Sequence, residues 1–265
     1  MSTASRLLAL VTGASSGLGV EFARLLAAEG HDLVLVARSS DKLASIAQDL
    51  QGRHGGAVHP IPVDLAVPHA PDSLVNLLRE RGLSPDLLIN NAGFGSYGPF
   101  IETDLGEQLR MIQVNVAALT HLTHLLLPEM MQRRCGRILN VASTAAFQPG
   151  PLMAVYYATK AFVLSCSEAL ANELNGSGVT VTCLCPGPTQ TGFQERAAMT
   201  RSRLVAGRKI MDATAVARAG LKAMHKGKTL VIPGLGNKLL TLSVRLAPRQ
   251  MVTKMVRGLQ SPRGE

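Results

Sequence analysis

Tyr156 and Lys160 stand four residues apart in a stretch with helical spacing, which puts a phenol and an ammonium on the same helix face. Such a pair can pass a proton to or from a reacting oxygen. An ordinary phenol ionises near pH 10, and bringing it to neutrality takes roughly three pKa units, or about 4 kcal/mol in favour of phenolate. An ammonium about 4 Å away at an effective dielectric of about 20 supplies about that much. Tyr157 has no such partner, since Ala161 follows it by four residues. Three tyrosines and eight lysines in 265 residues would yield about 0.1 such pair by chance, so the pair's place in the chain matters as much as its spacing.

That place follows from the elements around it. Apolar runs at residues 7–11, 32–37, 57–63, 87–89, 137–141, 179–184 and 229–232 read as strands, with helical patterns between them. Continuous apolar strands alternating with helices predict a parallel sheet covered on both faces and joined by right-handed crossovers. The expected fold is α/β: a single doubly wound Rossmann-type domain spanning 1–265, with a seven-stranded parallel sheet. Ligands of such sheets bind beyond the carboxyl ends of the strands, where the winding reverses.

The chemistry-bearing residues fall at those ends. The first strand runs into Thr12-Gly13-Ala14-Ser15-Ser16-Gly17-Leu18-Gly19 and an amphipathic helix, whose N-terminal amides can hold a pyrophosphate. At the end of the second strand, where an acid would bind the ribose of NAD, stands Arg38, followed by Ser39 and Ser40. A cation there matches a 2′-phosphate, so NADP(H) is expected over NAD(H). A solvated strand-end residue paired with Asp41 is the alternative. Asp64 closes the third strand, placed to accept a hydrogen bond from an adenine amino group or to cap its loop. Asn90-Asn91-Ala92-Gly93 follow the fourth strand, Ser143 the fifth, and Pro186-Gly187 with Thr191 the sixth, while Asn115 interrupts a long apolar helix.

In this order the motifs resemble the short-chain dehydrogenase/reductase family, and the resemblance extends over residues 7–232. It implies hydride transfer between a nicotinamide and a carbonyl or secondary alcohol, with Tyr156 as general acid/base. Lys160 would lower the phenol's pKa and bind the nicotinamide ribose, Ser143 would orient the substrate oxygen, and Asn115 would hold a water that relays protons towards Lys160. A helix-bending structural role is the other reading of Asn115. The implied cofactor contacts are Gly13, Ser15, Ser16, Gly17, Leu18, Gly19, Arg38, Asp64, Leu65, Asn91, Ala92, Gly93, Tyr156, Lys160, Pro186, Gly187, Thr189 and Thr191. Residues 229–234 and 237–240 are similar to a branch near the oxoacyl-thioester and hydroxysteroid reductases. Intact Ser143, Tyr156 and Lys160 argue against a nonenzymatic NADP(H)-binding sensor on the same fold.

Composition limits the remaining choices. Four cysteines without a C-x-x-C pair, in apolar surroundings, read as buried thiols of a reducing compartment, and the apolar N-terminal run is too short for a signal peptide, so a cytoplasmic location is expected. His121-x-x-His124 lacks a third ligand, and no metal is expected. The net charge is concentrated at the C-terminal end: residues 196–265 hold 15 Lys and Arg against 2 Asp and Glu. No Trp, three Tyr and six Phe offer little for base stacking, so nucleic acid is not an expected partner.

Residues 192–227 read as a substrate lid, because Phe193, Met199, Leu204 and Ile210 lie among five basic residues from Arg196 to Lys209. They suit a lipid-like chain with an anionic handle, such as a 3-oxoacyl thioester. Residues 237–260 read as a helical tail, in which Met251, Val252, Met255, Val256 and Leu259 form an apolar stripe flanked by Arg249, Lys254 and Arg257. The stripe needs a cover. A homodimer or homotetramer is the favoured one, as the resemblance implies, and peripheral contact with an anionic membrane is the alternative, whether for the enzyme or for a membrane-surface adaptor on this fold.

Overall fold

The structure, a computed structural model, describes residues 6–193, 197 and 210–261. Seven parallel strands form one sheet in the order β3-β2-β1-β4-β5-β6-β7. They are β1 (Leu8–Thr12), β2 (Asp32–Ala37), β3 (Val58–Pro62), β4 (Leu87–Asn90), β5 (Gly136–Val141), β6 (Val179–Leu184) and β7 (Leu230–Val231). All seven sequence-predicted strands are present. The inner strands lack a polar face because both faces are covered: every residue of β1 and of β4 is buried. Edge strand β3 departs from this pattern, with Pro60 and Pro62 exposed where a missing N–H costs no ladder bond.

Side chains alternate between the faces. Ala9 and Val11 join Phe22 and Leu26 of α1 (Gly17–Ala28), Leu43 of α2 (Ser40–His54) and Leu221 and Met224 of α7 (Ala213–His225). Leu8 and Leu10 meet Leu74 and Leu78 of α3 (Ala70–Glu80) and Leu122 and Leu126 of α5 (Leu119–Gln132) on the other face. A further cluster surrounds α6 (Ala154–Glu173), through Val163, Leu164, Cys183 and Cys185. The winding reverses between β1 and β4, so a crevice opens where their carboxyl ends diverge.

Three expectations need correction. The stretch 192–227 is not a lid throughout, since α7 buries Val216, Ala217, Leu221 and Met224 in the core. Met199, Leu204 and the basic cluster 196–209 lie outside the described residues. Cys135 is exposed and Cys166 half-buried, whereas Cys183 and Cys185 are core thiols as expected. The tail is two helices, α8 (Leu235–Leu246) and α9 (Arg249–Gln260), broken at Pro248. The stripe on α9 is partly covered by the chain itself: Val252 and Val256 are buried against Met153, Tyr156 and Tyr157, while Met251 and Met255 stay exposed. His121 Nε2 lies 3.0 Å from Asp72 Oδ1. Among the described residues, no helix is long and apolar enough to cross a membrane.

Candidate active site

A cavity of about 960 Å³ occupies the crevice. Its floor is the turn from β1 into α1, where Gly13 (φ +66°) and Gly17 (φ +55°) adopt left-handed backbone that other residues resist. No side chain caps the first turn of α1 and no acid lies in it, so its amides and the positive dipole end are left for a ligand's negative charge. Ser15, Ser16 and Leu18 also line the cavity. Gly19 is set back from the wall. A Cβ there would lie 2.1 Å from the Gly13 carbonyl oxygen, so Gly19 permits helix and turn to pack together.

Thr12, unremarked as a site residue in the sequence, fastens this floor to β4. Its hydroxyl accepts hydrogen bonds from the Asn91 and Ala92 N–H groups, both at 3.0 Å, and donates to the Ile89 carbonyl. The Asn91 side chain donates back to the Thr12 carbonyl at 2.9 Å. Asn91, Ala92 and Gly93 are thereby held along the cavity wall.

At the end of β2 the wall comprises Arg38, Ser39 and Lys42. Among the described residues Arg38 makes no ion pair, and Asp41 instead accepts a hydrogen bond from Ser40. Lys42 went unnoticed in the sequence, although its place in the first turn of α2, four residues after Arg38, could have drawn attention to it. Asp64 lines the cavity beside Leu65 and also caps its own loop, accepting from the Ala66 N–H at 3.0 Å, with Arg110 at 3.6 Å.

The third wall carries Ser143, Tyr156 and Lys160. Ser143 follows β5 and its hydroxyl accepts from the Ala145 N–H at 3.1 Å. Tyr156 and Lys160 lie on α6, with the lysine Nζ 5.8 Å from the tyrosine ring centre and donating to the Val141 carbonyl at 2.8 Å. Burial pushes the Tyr156 phenol above its ordinary value, against the opposing effect of a hydrogen bond with Ser143. Burial also pushes Lys160 down to about 8. The expected lowering of the phenol by the ammonium is therefore not found in the protein without ligand: desolvation favours the neutral form of both groups.

Asn115 is buried but off the cavity wall. It sits in a π-helical turn (Gln113–Ala118) joining α4 (Leu105–Ile112) to α5. Its side chain accepts from the Phe94 N–H and donates to the Phe94 carbonyl and the Thr159 hydroxyl, at 2.9–3.1 Å. That supports the backbone between β4 and α6 directly. A Cβ on Gly93 would lie 3.0 Å from Asn115 Oδ1 and 3.4 Å from Lys160 Nζ, so the two side chains converge on this glycine.

Pro186, Gly187, Thr189 and Thr191 line the cavity after β6. Its other end is lined by Phe94, Val114, Ala145, Met153, Tyr157 and Phe193, with Gln260 reaching in from α9. Neither Tyr157 nor Gln260 was marked by the sequence. A glycine-lined floor beneath uncapped amides and two cations at the β2 end fit a nicotinamide dinucleotide.

Comparisons with known proteins agree with the geometry. The family model for short chain dehydrogenase matches residues 7–202. A very-long-chain 3-oxoacyl-CoA reductase of Phaeosphaeria nodorum is 41% identical over 180 residues, covering 66% of this chain and 53% of that protein. The chain thus spans about half the length of this fungal relative. Ketoacyl reductase HetN of Nostoc sp. is 36% identical over 233 residues, covering 88% of this chain and 80% of the relative. Among solved structures, a short-chain dehydrogenase from Sphingobium yanoikuyae in complex with NADPH superposes with a TM-score of 0.82 at 34% identity, covering 91% of this chain and 93% of the other. With three-quarters of its length matched by the family model and Ser143, Tyr156 and Lys160 gathered on one cavity wall, this chain belongs to the short-chain dehydrogenase family of oxidoreductases.

Proposed function

We propose that the protein is an NADPH-dependent reductase of carbonyl groups on lipid-like substrates, with a 3-oxoacyl thioester as the favoured class. The observation that carries the reading is the shared wall of Ser143, Tyr156 and Lys160 between a dinucleotide-sized cradle and an apolar chamber. NADPH, when bound, supplies the hydride to the carbonyl carbon. Tyr156 Oη gives its proton to the carbonyl oxygen as negative charge develops there, and Ser143 Oγ holds that oxygen by a hydrogen bond. The phenol is protonated at neutral pH, but burial makes it a weaker acid, so the charge of Lys160 has to offset that cost as the proton leaves. Lys160 stabilises the phenolate left behind and holds the cofactor ribose, while Asn115 keeps the Phe94 backbone and α6 in register.

Arg38 and Lys42 at the β2 end support NADPH over NADH, since both cations can meet a 2′-phosphate. Gly13, Ser15, Ser16, Gly17 and Leu18 would hold the pyrophosphate of such a cofactor, and Asp64 and Leu65 its adenine. Asn91, Ala92, Gly93, Pro186, Gly187, Thr189 and Thr191 would hold its nicotinamide half. The apolar chamber of Phe94, Val114, Met153, Tyr157 and Phe193 favours an acyl chain over a sugar or a small polar ketone. The names of the fungal and Nostoc relatives support the same class. The test is NADPH consumption with 3-oxoacyl-CoA thioesters of increasing length beside small ketones. Turnover that improves with chain length is the expected result, and no turnover with any carbonyl contradicts the reading.

A further inference from the structure

Helix α8 is amphipathic in an unusual sense, because its outward face is leucine. Thr241 is buried and Asn237 and Val244 are half-buried towards the protein, whereas Leu235, Leu239, Leu242 and Leu246 are 78, 67, 57 and 84% exposed. Their i, i+4, i+7, i+11 spacing lines them up in one stripe. On α9, Met251 and Met255 are also exposed, by 55 and 53%. Lys238, Arg245, Arg249, Lys254 and Arg257 punctuate the two helices, and residues 235–260 contain neither Asp nor Glu. All five cations are exposed, and among the described residues none makes an ion pair.

We propose that α8 and α9 form a membrane-docking surface, with the leucine stripe lying in the interface of an anionic bilayer and the five cations meeting lipid headgroups. Charge selects this occupant. A second copy placed on the same face by a twofold axis would set five cations against five, with no acid on the face to offset them. An anionic bilayer supplies both the apolar layer and the opposite charge. A second exposed apolar surface among the described residues, Phe100, Ile101, Leu105 and Leu109, includes exposed Glu102, Asp104 and Glu107 and would be repelled by the same membrane. Each helix has 12 residues, a length that lies along a bilayer and does not cross it.

Docking this way has a consequence for the cavity. The inner sides of the same helices pack behind its wall: Val244, Ala247, Val252 and Val256 join the cluster around Met153, Tyr156 and Tyr157, and Gln260 itself lines the cavity. The apolar chamber therefore lies about one helix diameter, roughly 10 Å, behind the docking surface. Carbonyl compounds that partition into lipid would be collected where they are used. The surface itself is independent of the catalytic reading, because vesicle binding is measured without turnover.

The test uses the full chain with vesicles of phosphatidylcholine alone and of phosphatidylcholine mixed with phosphatidylglycerol. Wild type should sediment with the anionic vesicles and detach as salt is raised. The variant Leu239→Ser/Leu242→Ser should bind at least about tenfold more weakly, while its oligomeric state in sedimentation velocity is unchanged. Because the chain has no tryptophan, Leu242→Trp provides a single indole on the stripe, and its emission should move to shorter wavelength on anionic vesicles. No vesicle binding by wild type, equal binding by the leucine variant, or an unmoved indole overturns the proposal. So does a smaller oligomer in the leucine variant, which would assign the face to a second copy.

Discussion

Gln260 Nε2 donates a 2.7 Å hydrogen bond to the Tyr157 hydroxyl, joining the last turn of α9 to α6 across 103 residues of sequence. The Tyr97 hydroxyl donates to the Gln260 carbonyl at 2.5 Å, so both ends of this residue are held. Through Gln260 the tail thus reaches one end of the cavity.

Gln260→Leu should cost about 1–3 kcal/mol, because it leaves a buried phenol hydroxyl without its partner. Adding Tyr157→Phe should recover part of that loss, since both polar groups are then gone. Urea unfolding of the two single variants and the double variant checks this. Strictly additive losses would show that the hydrogen bond contributes nothing.

Gly19→Ala sets two effects against each other. Helix propensity alone favours alanine by about 1 kcal/mol. A Cβ at 2.1 Å from the Gly13 carbonyl oxygen and 2.8 Å from Asn91 Nδ2 cannot be accommodated without moving the turn. The expected outcome is lower thermal stability together with weaker dinucleotide binding. A stabilised variant with unchanged binding would show that Gly19 is not needed for packing.

These two positions mark what the sequence could reveal. Strand periodicity and ordered strand-end motifs made the sheet, the crevice and the residues Ser143, Tyr156 and Lys160 legible, because each depends on local spacing. The packing of Gly19 against the Gly13 carbonyl could not be read from spacing, since the two meet only after the turn closes. Gln260 and Tyr157 meet across 103 residues, and no local pattern records that contact. The upward direction of the Tyr156 shift could not be read from spacing either, because it depends on burial.

Lys160 gives stability a pH dependence. Its pKa falls from 10.5 to about 8 on folding because burial disfavours the cation. Between those values the unfolded chain binds more protons than the folded one, so this group makes stability rise with pH by at most about 1.4 kcal/mol per unit. Compared with Lys160→Met, the ligand-free wild type should gain stability from pH 8 towards pH 10, as followed by urea unfolding. A constant difference between the two proteins across that range would mean that the buried amine does not titrate there.

Cofactor choice depends on the β2 end. Arg38→Asp should shift kcat/KM from NADPH towards NADH by about one to two powers of ten, as expected for hydrogen bonds to a charged group worth about 1.5–3 kcal/mol. Lys42→Ala should move it in the same direction by less. A wild type that already prefers NADH would remove the 2′-phosphate role from both residues.

The central claim is that Tyr156 gives the proton, and Tyr156→Phe tests it most directly, with NADPH binding and carbonyl reduction measured on the same preparation. The predicted result is NADPH affinity close to wild type with kcat lowered by about 10²–10⁴-fold, as loss of a general acid requires. A kcat within about tenfold of wild type, equivalent to about 1.4 kcal/mol of barrier, would contradict the account.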